Sequence, residues 1–210
     1  MIVLDIETSG LYPEEHGIWQ IGALDFYNPQ NTFLEEGRID DEDEVAEEAL
    51  KVTGKTEAEL RNQNKQSQKH LLENFFDWTK KAKIKNCICQ NPQIDLGFIT
   101  LKARKYELKF PLHYRTFDLH SFAQARYRKL HGDFLMKEEH SEMGLSNILK
   151  FCGLEDKRIK MKEGKVQKQG TPHNAIEDCK LTAECFSRIV YGKSLFQEFS
   201  QYKVPEYLLK

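Results

Sequence analysis

A mixed five-stranded sheet flanked by helices, an α/β fold, is what this chain predicts, on two main observations. Residues 2–39 hold three closely spaced strand-like segments, and the remainder alternates helical periodicity with two further short apolar strands. The 210 residues, 40% apolar and 30% charged, suffice for one domain with a full core, and no repeat or Pro/Gly/Ser linker divides them.

In order, residues 2–6 and 18–27 read as strands from their apolar and aromatic content, separated by the Tyr12-Pro13 turn and Gly17. A third strand is expected over residues 32–39, after a turn at Asn28-Pro29. Val45, Ala49 and Val52 share one helical face that Gly54 terminates, and Thr56 with Glu59 has capping-box spacing. Leu71, Leu72, Phe75 and Phe76 make an apolar stripe over residues 66–82. A strand at 86–90, a helix through Leu96, Ile99, Ala103 and Tyr106, a strand at 113–118 and a helix through Leu119, Phe122, Ala123, Tyr127 and Leu130 follow. Residues 131–143 are polar and aperiodic and read as a loop. A short helix from Leu145 to Cys152 ends at Gly153. Thr171 and Pro172 are placed to cap and begin a helix carrying Cys179, Ala183, Phe186 and Val190 inward. Beyond it, Leu195, Phe196, Phe199 and Tyr202 have helical spacing. The division expected is a domain over residues 1–190 and a helical tail over 191–210 packed on it.

Five cysteines without a CxxC, set among apolar neighbours, read as reduced core residues. Apolar runs are far short of the roughly 20 residues a membrane helix needs, and no basic leader precedes the first strand, so a soluble cytoplasmic protein is expected. Net charge is −2, yet charge is segregated. Nine acids stand against Arg38 between Glu35 and Glu48, and six bases (Lys157, Arg158, Lys160, Lys162, Lys165, Lys168) against Glu163. Solvated faces are the simplest reading of such runs; the basic one, a loop ending just before the most informative motif, could also track a phosphate backbone. The acidic run lacks the glycine and alternating ligands of an EF-hand loop.

Asp5 and Glu7 lie two apart on an apolar strand, so both carboxylates point to one face. Side by side they repel, and a bound divalent cation is one arrangement that leaves both ionised at pH 7. Asp95 stands where a short strand turns into a helix, the sheet edge at which α/β folds bind ligands. His173 is placed at a helix start with Asp178 five residues on. There the helix dipole lowers the imidazole pKa and nearby carboxylates raise it, which suits a general base near neutrality.

Together these residues stand in the order, spacing and local structure of the DnaQ-like, DEDDh-type 3′-to-5′ exonucleases of the ribonuclease H-like superfamily, which the chain resembles over about residues 1–190. Asp5-Ile6-Glu7-Thr8-Ser9-Gly10-Leu11 is similar to that family's DxET-x-G motif, and Gln20-Ile21-Gly22-Ala23 resembles its second strand. Ala49 to Gly54 with Thr56 resembles its helix-and-turn segment. His173-Asn174-Ala175-Ile176-Glu177-Asp178 fits HxAxxD and selects the histidine subtype. Gln90-Asn91-Pro92-Gln93-Ile94-Asp95 departs from the common His-Asn-x-x-Phe-Asp while keeping the aspartate, which affects expected substrate contacts more than metal binding.

The resemblance implies two Mg²⁺ or Mn²⁺ ions held by Asp5, Glu7, Asp95 and Asp178, with His173 as general base. It also implies a terminal nucleotide met by Thr8, Ser9, Gly10, Leu11 and Asn91, and release of nucleoside 5′-monophosphates from single-stranded DNA or RNA 3′ ends. The other six histidines are expected to be silent. No membrane partner is implied, and a polymerase or a second copy of the chain stays open as partner. The alternatives are a proofreading-type exonuclease subunit of a polymerase complex and a catalytically silent nucleic-acid-binding module, the latter opposed by retention of all five residues.

Overall fold

The computed structural model describes residues 1–162 and 165–209, with backbone alone at 160–162, 165, 166 and 168. Strands β1 (Ile2–Thr8), β2 (Ile18–Asp25) and β3 (Asn28–Glu36) form an antiparallel meander. On the other side of β1, β4 (Cys87–Cys89) and β5 (Phe117–Asp118) add in parallel, which makes the mixed five-stranded sheet expected of the sequence, in the order β3-β2-β1-β4-β5. β3 begins at Asn28 rather than at residue 32, and the turn is Phe26-Tyr27. Pro29 is tolerated because β3 is an edge strand and its missing N–H leaves no central ladder bond unmade. β5 is shorter than the expected 113–118, since the preceding chain bonds laterally, His113 N–H to the Lys85 carbonyl (3.0 Å) and the Asn86 amide to the Arg115 carbonyl (2.8 Å).

β1 is central and its two faces bury different sets. Ile2, Leu4 and Ile6 face a core built with α3 (Gln68–Thr79) and α4 (Pro92–Lys105), through Leu71, Phe75, Phe98 and Ile99. Val3 faces the other core, made with α5 (Leu119–His131), α6 (Leu145–Phe151) and α7 (Ala175–Tyr191). The period of two therefore sets Asp5 and Glu7 on the α7 side of the sheet. Between β3 and α3, the short helices α1 (Glu47–Thr53) and α2 (Glu57–Leu60) carry the expected signals: Gly54 is a left-handed cap (φ 68°), and Thr56 and Glu59 exchange both capping-box bonds. All five cysteines are free and buried.

Several segments differ from the sequence reading. Residues 131–143 include a small hairpin, β6 (Met136–Lys137) with β7 (His140–Ser141). The basic run is not a loop but an antiparallel pair, β8 (Lys160–Lys162) with β9 (Lys165–Lys168). The side chains of Lys160, Lys162, Lys165 and Lys168, on which the expected phosphate contacts fall, lie outside the described residues. α7 starts at Ala175 with Asn174 as its cap, not at Pro172 with Thr171. Thr171 is held extended instead, exchanging backbone bonds of 2.9 Å with Lys157 and Ile159. Ile189 is buried on α7 while Val190 turns outward. The tail forms two 3₁₀ turns, Gln197–Phe199 and Glu206–Leu208, rather than a helix. Its Leu195, Phe196, Phe199 and Tyr202 pack on the α7-side core, tied down by a fully buried Glu184–Arg188 pair (2.6 Å) whose spare groups bond tail backbone at Leu195, Phe196, Phe199 and Tyr202.

The acidic run is not simply a solvated face. Asp43 and Lys102 form a buried ion pair of 2.6 Å, each side chain 3% exposed, and Gln68 and the Asp40 N–H bond the second Asp43 oxygen. Lys105 pairs with Asp40 and Glu42. Lys102→Met leaves Asp43 as an uncompensated buried charge and is expected to lower unfolding free energy by about 3–5 kcal/mol in urea titration, with the double variant Lys102→Met/Asp43→Asn recovering most of it. A cost below about 1 kcal/mol for the single change would show that solvent reaches the pair.

Candidate active site at the β1–α7 interface

The site is made where the first turn of α7 lies directly on the sheet. Gly22 of β2 stands opposite Asp5 in the β1–β2 register, and a Cβ there would come within 2.4 Å of the Ala175 carbonyl carbon and 2.5 Å of the Ile176 nitrogen. The missing side chain is what lets the helix approach. Gln20, opposite Glu7, accepts the Ala175 N–H (2.9 Å), and the Cys179 thiol reaches the Gly22 carbonyl (3.1 Å). This docking brings Asp178, 4% exposed, beside the strand carboxylates.

Among the described residues, Glu7, His173 and Asp178 each offer a ligand atom within 4.8 Å of the others. His173 Nδ1 is 3.3 Å from Asp178 Oδ2, and His173 Nε2 is 3.1 Å from the Ile159 carbonyl oxygen. Asp95, in the first turn of α4, accepts the Ile6 N–H through Oδ1 (3.1 Å), which draws that helix start to the β1 bulge at Glu7/Thr8. Asp5 lies outside the close trio, but its carboxyl is pushed well up by burial and by the charges of Asp178, Asp95 and Glu7. Burial and Asp178 raise Glu7 to about 8, and burial raises Asp95 to about 7. The five residues the motifs singled out thus converge on one corner.

The dipole argument for His173 fails, because the residue precedes the Asn174 cap and is not in the helix. Burial opposes its charge, but the bond and attraction to Asp178 outweigh burial and raise its pKa. With acceptors at both nitrogens, the imidazole is arranged as a double donor.

Residues 2–186 match the model of the exonuclease family RNase_T. The chain belongs to this exonuclease family. No curated protein sequence is detectably similar to it. Solved structures share its ribonuclease H-like fold. The cell-death related nuclease 4 (CRN-4) is 16% identical at TM-score 0.65, with 92% of this chain and 64% of that one covered. The nuclease domain of 3′hExo, a DEDDh family member, bound to rAMP, is 17% identical at TM-score 0.64, covering 93% and 94%. The zinc-bound E. coli ExoI–ssDNA complex is 16% identical at TM-score 0.65, covering 95% and 42%. The chain therefore spans under two thirds of the CRN-4 and ExoI chains.

Of the substrate residues the resemblance implies, Thr8, Gly10 and Leu11 line a cleft of about 540 Å³ that opens from Glu7 along α1, and Leu11 is 74% exposed in it. Ser9 does not line the cleft. It is fully buried, its N–H and carbonyl bond Gly17 and Ala46, and its hydroxyl bonds Glu44 and the Gly17 N–H, so it closes the loop instead of meeting a ligand. Asn91 lies outside the cleft, capping α4 in the left-handed region (φ 58°) with its N–H on Asp118. Two groups escaped sequence reasoning. His16, expected to be silent, is 6% exposed and packs where a Gly10 Cβ would stand, 2.0 Å from its ring. Arg158, counted among solvated bases, is only partly exposed and bonds Asp178 Oδ2 through Nη1 (3.1 Å), so the acids have a basic partner. A run of like charges carries no signal of which member turns inward.

These shifts fix a pH dependence. Unfolded carboxyls ionise near 4–4.5, whereas the folded Glu7 and Asp95 hold their protons to about 8 and about 7. The folded state binds more protons across that window, so its stability falls as pH rises through it, and the raised His173 acts in the same direction. In EDTA the melting temperature is expected to drop between about pH 5 and pH 8, and the upward shift given by Mn²⁺ to be larger at the higher pH. A melting temperature that climbs over that window would contradict the assignment of these carboxyls.

Proposed function

We propose that this exonuclease removes nucleoside 5′-monophosphates from the 3′ ends of single-stranded nucleic acid, with Asp5, Glu7, Asp95 and Asp178 as holders of two divalent cations and His173 as general base. One observation carries the cation reading: Asp178 Oδ1 is buried and has no hydrogen-bond partner among the described residues, in a corner where three further acids are raised by burial. A buried carboxylate oxygen without a donor is unfavourable by about 1–3 kcal/mol or more, and a hard cation with oxygen ligands removes that penalty. Mg²⁺ or Mn²⁺ at these oxygens would supply positive charge to the scissile phosphodiester and make water a better nucleophile near pH 7.

The protein's own groups account for the rest. Leu11 and Tyr12, both exposed at the cleft, offer apolar surface to a terminal base. His173 stands 24% exposed beside Asp178 and becomes a base once it gives up a proton from one of its two contacts. Asp178 then holds the imidazole by Nδ1, orienting it as a carboxylate orients a catalytic histidine. Two of the fold relatives, one solved with the nucleotide rAMP and one with ssDNA, support a nucleic-acid substrate without choosing the sugar.

Purified protein is to be incubated with 5′-labelled single-stranded DNA and RNA in Mg²⁺, Mn²⁺ or EDTA. A ladder shortening from the 3′ end, absent in EDTA and in Asp5→Asn, is expected. Full activity in EDTA would sink the cation reading. His173→Ala should lower kcat by about 10²–10⁴ while leaving the Mn²⁺-induced melting shift in place. Wild-type turnover in that variant would remove His173 from the chemistry.

A further inference from the structure

We propose that Arg158 is a positioning residue of the site: it holds Asp178 by one oxygen, so that the other alone is presented to a cation, and braces that carboxylate against Asp156. The inference rests on reading Asp178 as a cation ligand. Its basis is the fork geometry. Arg158 Nη1 meets Asp178 Oδ2 at 3.1 Å, while Nε and Nη2 meet Asp156 Oδ1 and Oδ2 at 3.1 and 3.2 Å. The guanidinium is 11% exposed and both carboxylates 5%, so this is an interior brace and not a surface pair. Asp156 is itself fixed by the Ser146 hydroxyl and by the Arg158 N–H (3.1 Å).

The two oxygens of Asp178 are consequently unlike. Oδ2 takes Arg158 and His173, and Oδ1 takes no partner among the described residues. The same short segment also steers the histidine, because the Ile159 carbonyl accepts from His173 Nε2 and the Ile159 N–H is anchored on Thr171. Two opposing consequences follow from placing a fixed positive charge here. It repels a cation, which weakens binding, and it fixes the carboxylate, which serves the geometry of the reaction. Only a planar, forked cation spans both acids; a lysine ammonium keeps the charge but is a single point.

The test measures Mn²⁺ affinity by calorimetry and kcat and KM on a 5′-labelled single-stranded oligonucleotide, using the full chain. Arg158→Gln is expected to bind Mn²⁺ at least about threefold tighter, to lose about tenfold or more in kcat and to hold KM within about threefold. Arg158→Lys should keep Mn²⁺ affinity near wild type with kcat still low. Mn²⁺ binding that weakens together with kcat in Arg158→Gln, or an unchanged kcat, overturns the proposal and leaves Arg158 as fold support. Should Arg158→Gln not fold, Asp156→Asn keeps the Arg158 charge, loosens the brace and removes one nearby negative charge: lower kcat with Mn²⁺ affinity no tighter than wild type supports the proposal, and wild-type kcat or tighter Mn²⁺ binding overturns it. If wild-type protein cleaves no nucleic acid, the exonuclease reading fails separately. The Mn²⁺ arm still decides this one, since equal affinity in Arg158→Gln and wild type contradicts it.

Discussion

The approach of α7 to β2 at Gly22 is the contact on which the site depends. Helices ordinarily stand off a sheet by the thickness of two side-chain layers, but here the backbone of Ala175 and Ile176 occupies the space a Cβ would need. Gln20 supplies the compensating polar contact by accepting the Ala175 N–H, a donor the helix start would otherwise leave unmet. Because Asp178 follows within the next turn, the separation of the two layers at Gly22 sets the distance between Asp178 and the β1 carboxylates. Positioning errors of about an ångström are enough to lower a rate a hundredfold, so a single missing side chain on a neighbouring strand governs the chemistry of residues it never touches.

Two buried aspartates show how structural and functional acids differ in one protein. Asp43 is saturated: Lys102 takes one oxygen, and Gln68 and the Asp40 N–H take the other. Its charge is balanced inside the protein. Asp178 also has a cationic partner in Arg158, yet its Oδ1 meets no donor among the described residues, and its neighbours Asp5, Glu7 and Asp95 are all shifted toward the protonated state by burial. Crowding acids into a low-dielectric corner without enough cations is unfavourable for folding, and folds keep such corners where an external charge is to be bound. The distinction lies in the unmatched oxygen rather than in burial.

What the sequence made legible follows the regular periods. Alternation along β1 assigns Asp5 and Glu7 to one face, and the observed split of Val3 from Ile2 and Leu4 between two cores is the same alternation. The HxAxxD spacing places His173 just ahead of the α7 cap and Asp178 in the first turn of α7, and that link needs only the local chain. Long-range pairings left no such trace. Lys102 and Asp43 are 59 positions apart, and Arg158 reaches Asp178 across 20 that include the paired strands β8 and β9. Ser9 was misread for a related reason: a small polar residue in a ligand-binding motif looks available until the folded loop is seen to consume its N–H, carbonyl and hydroxyl. The tail failed differently. Its apolar spacing fits a helix, but Glu184 and Arg188 bind its backbone groups one by one, and those bonds replace the helical ladder.

The charge around the cleft bears on how a strand can enter. Leu11, Tyr12 and Val52 give its walls apolar surface, whereas Glu44 and Glu48, two members of the acidic run, stand exposed at its lining. Carboxylates there oppose a phosphate backbone that continues past the cleft, because each further phosphate would add a like charge. A terminal nucleoside has no phosphate on its far side and so escapes that repulsion. The acidic run and the apolar lining thus favour a chain end over the middle of a strand, in keeping with the exonuclease family to which the chain belongs. The same acids that Lys102 and Lys105 anchor to the fold through Asp43, Asp40 and Glu42 hold that rim in place.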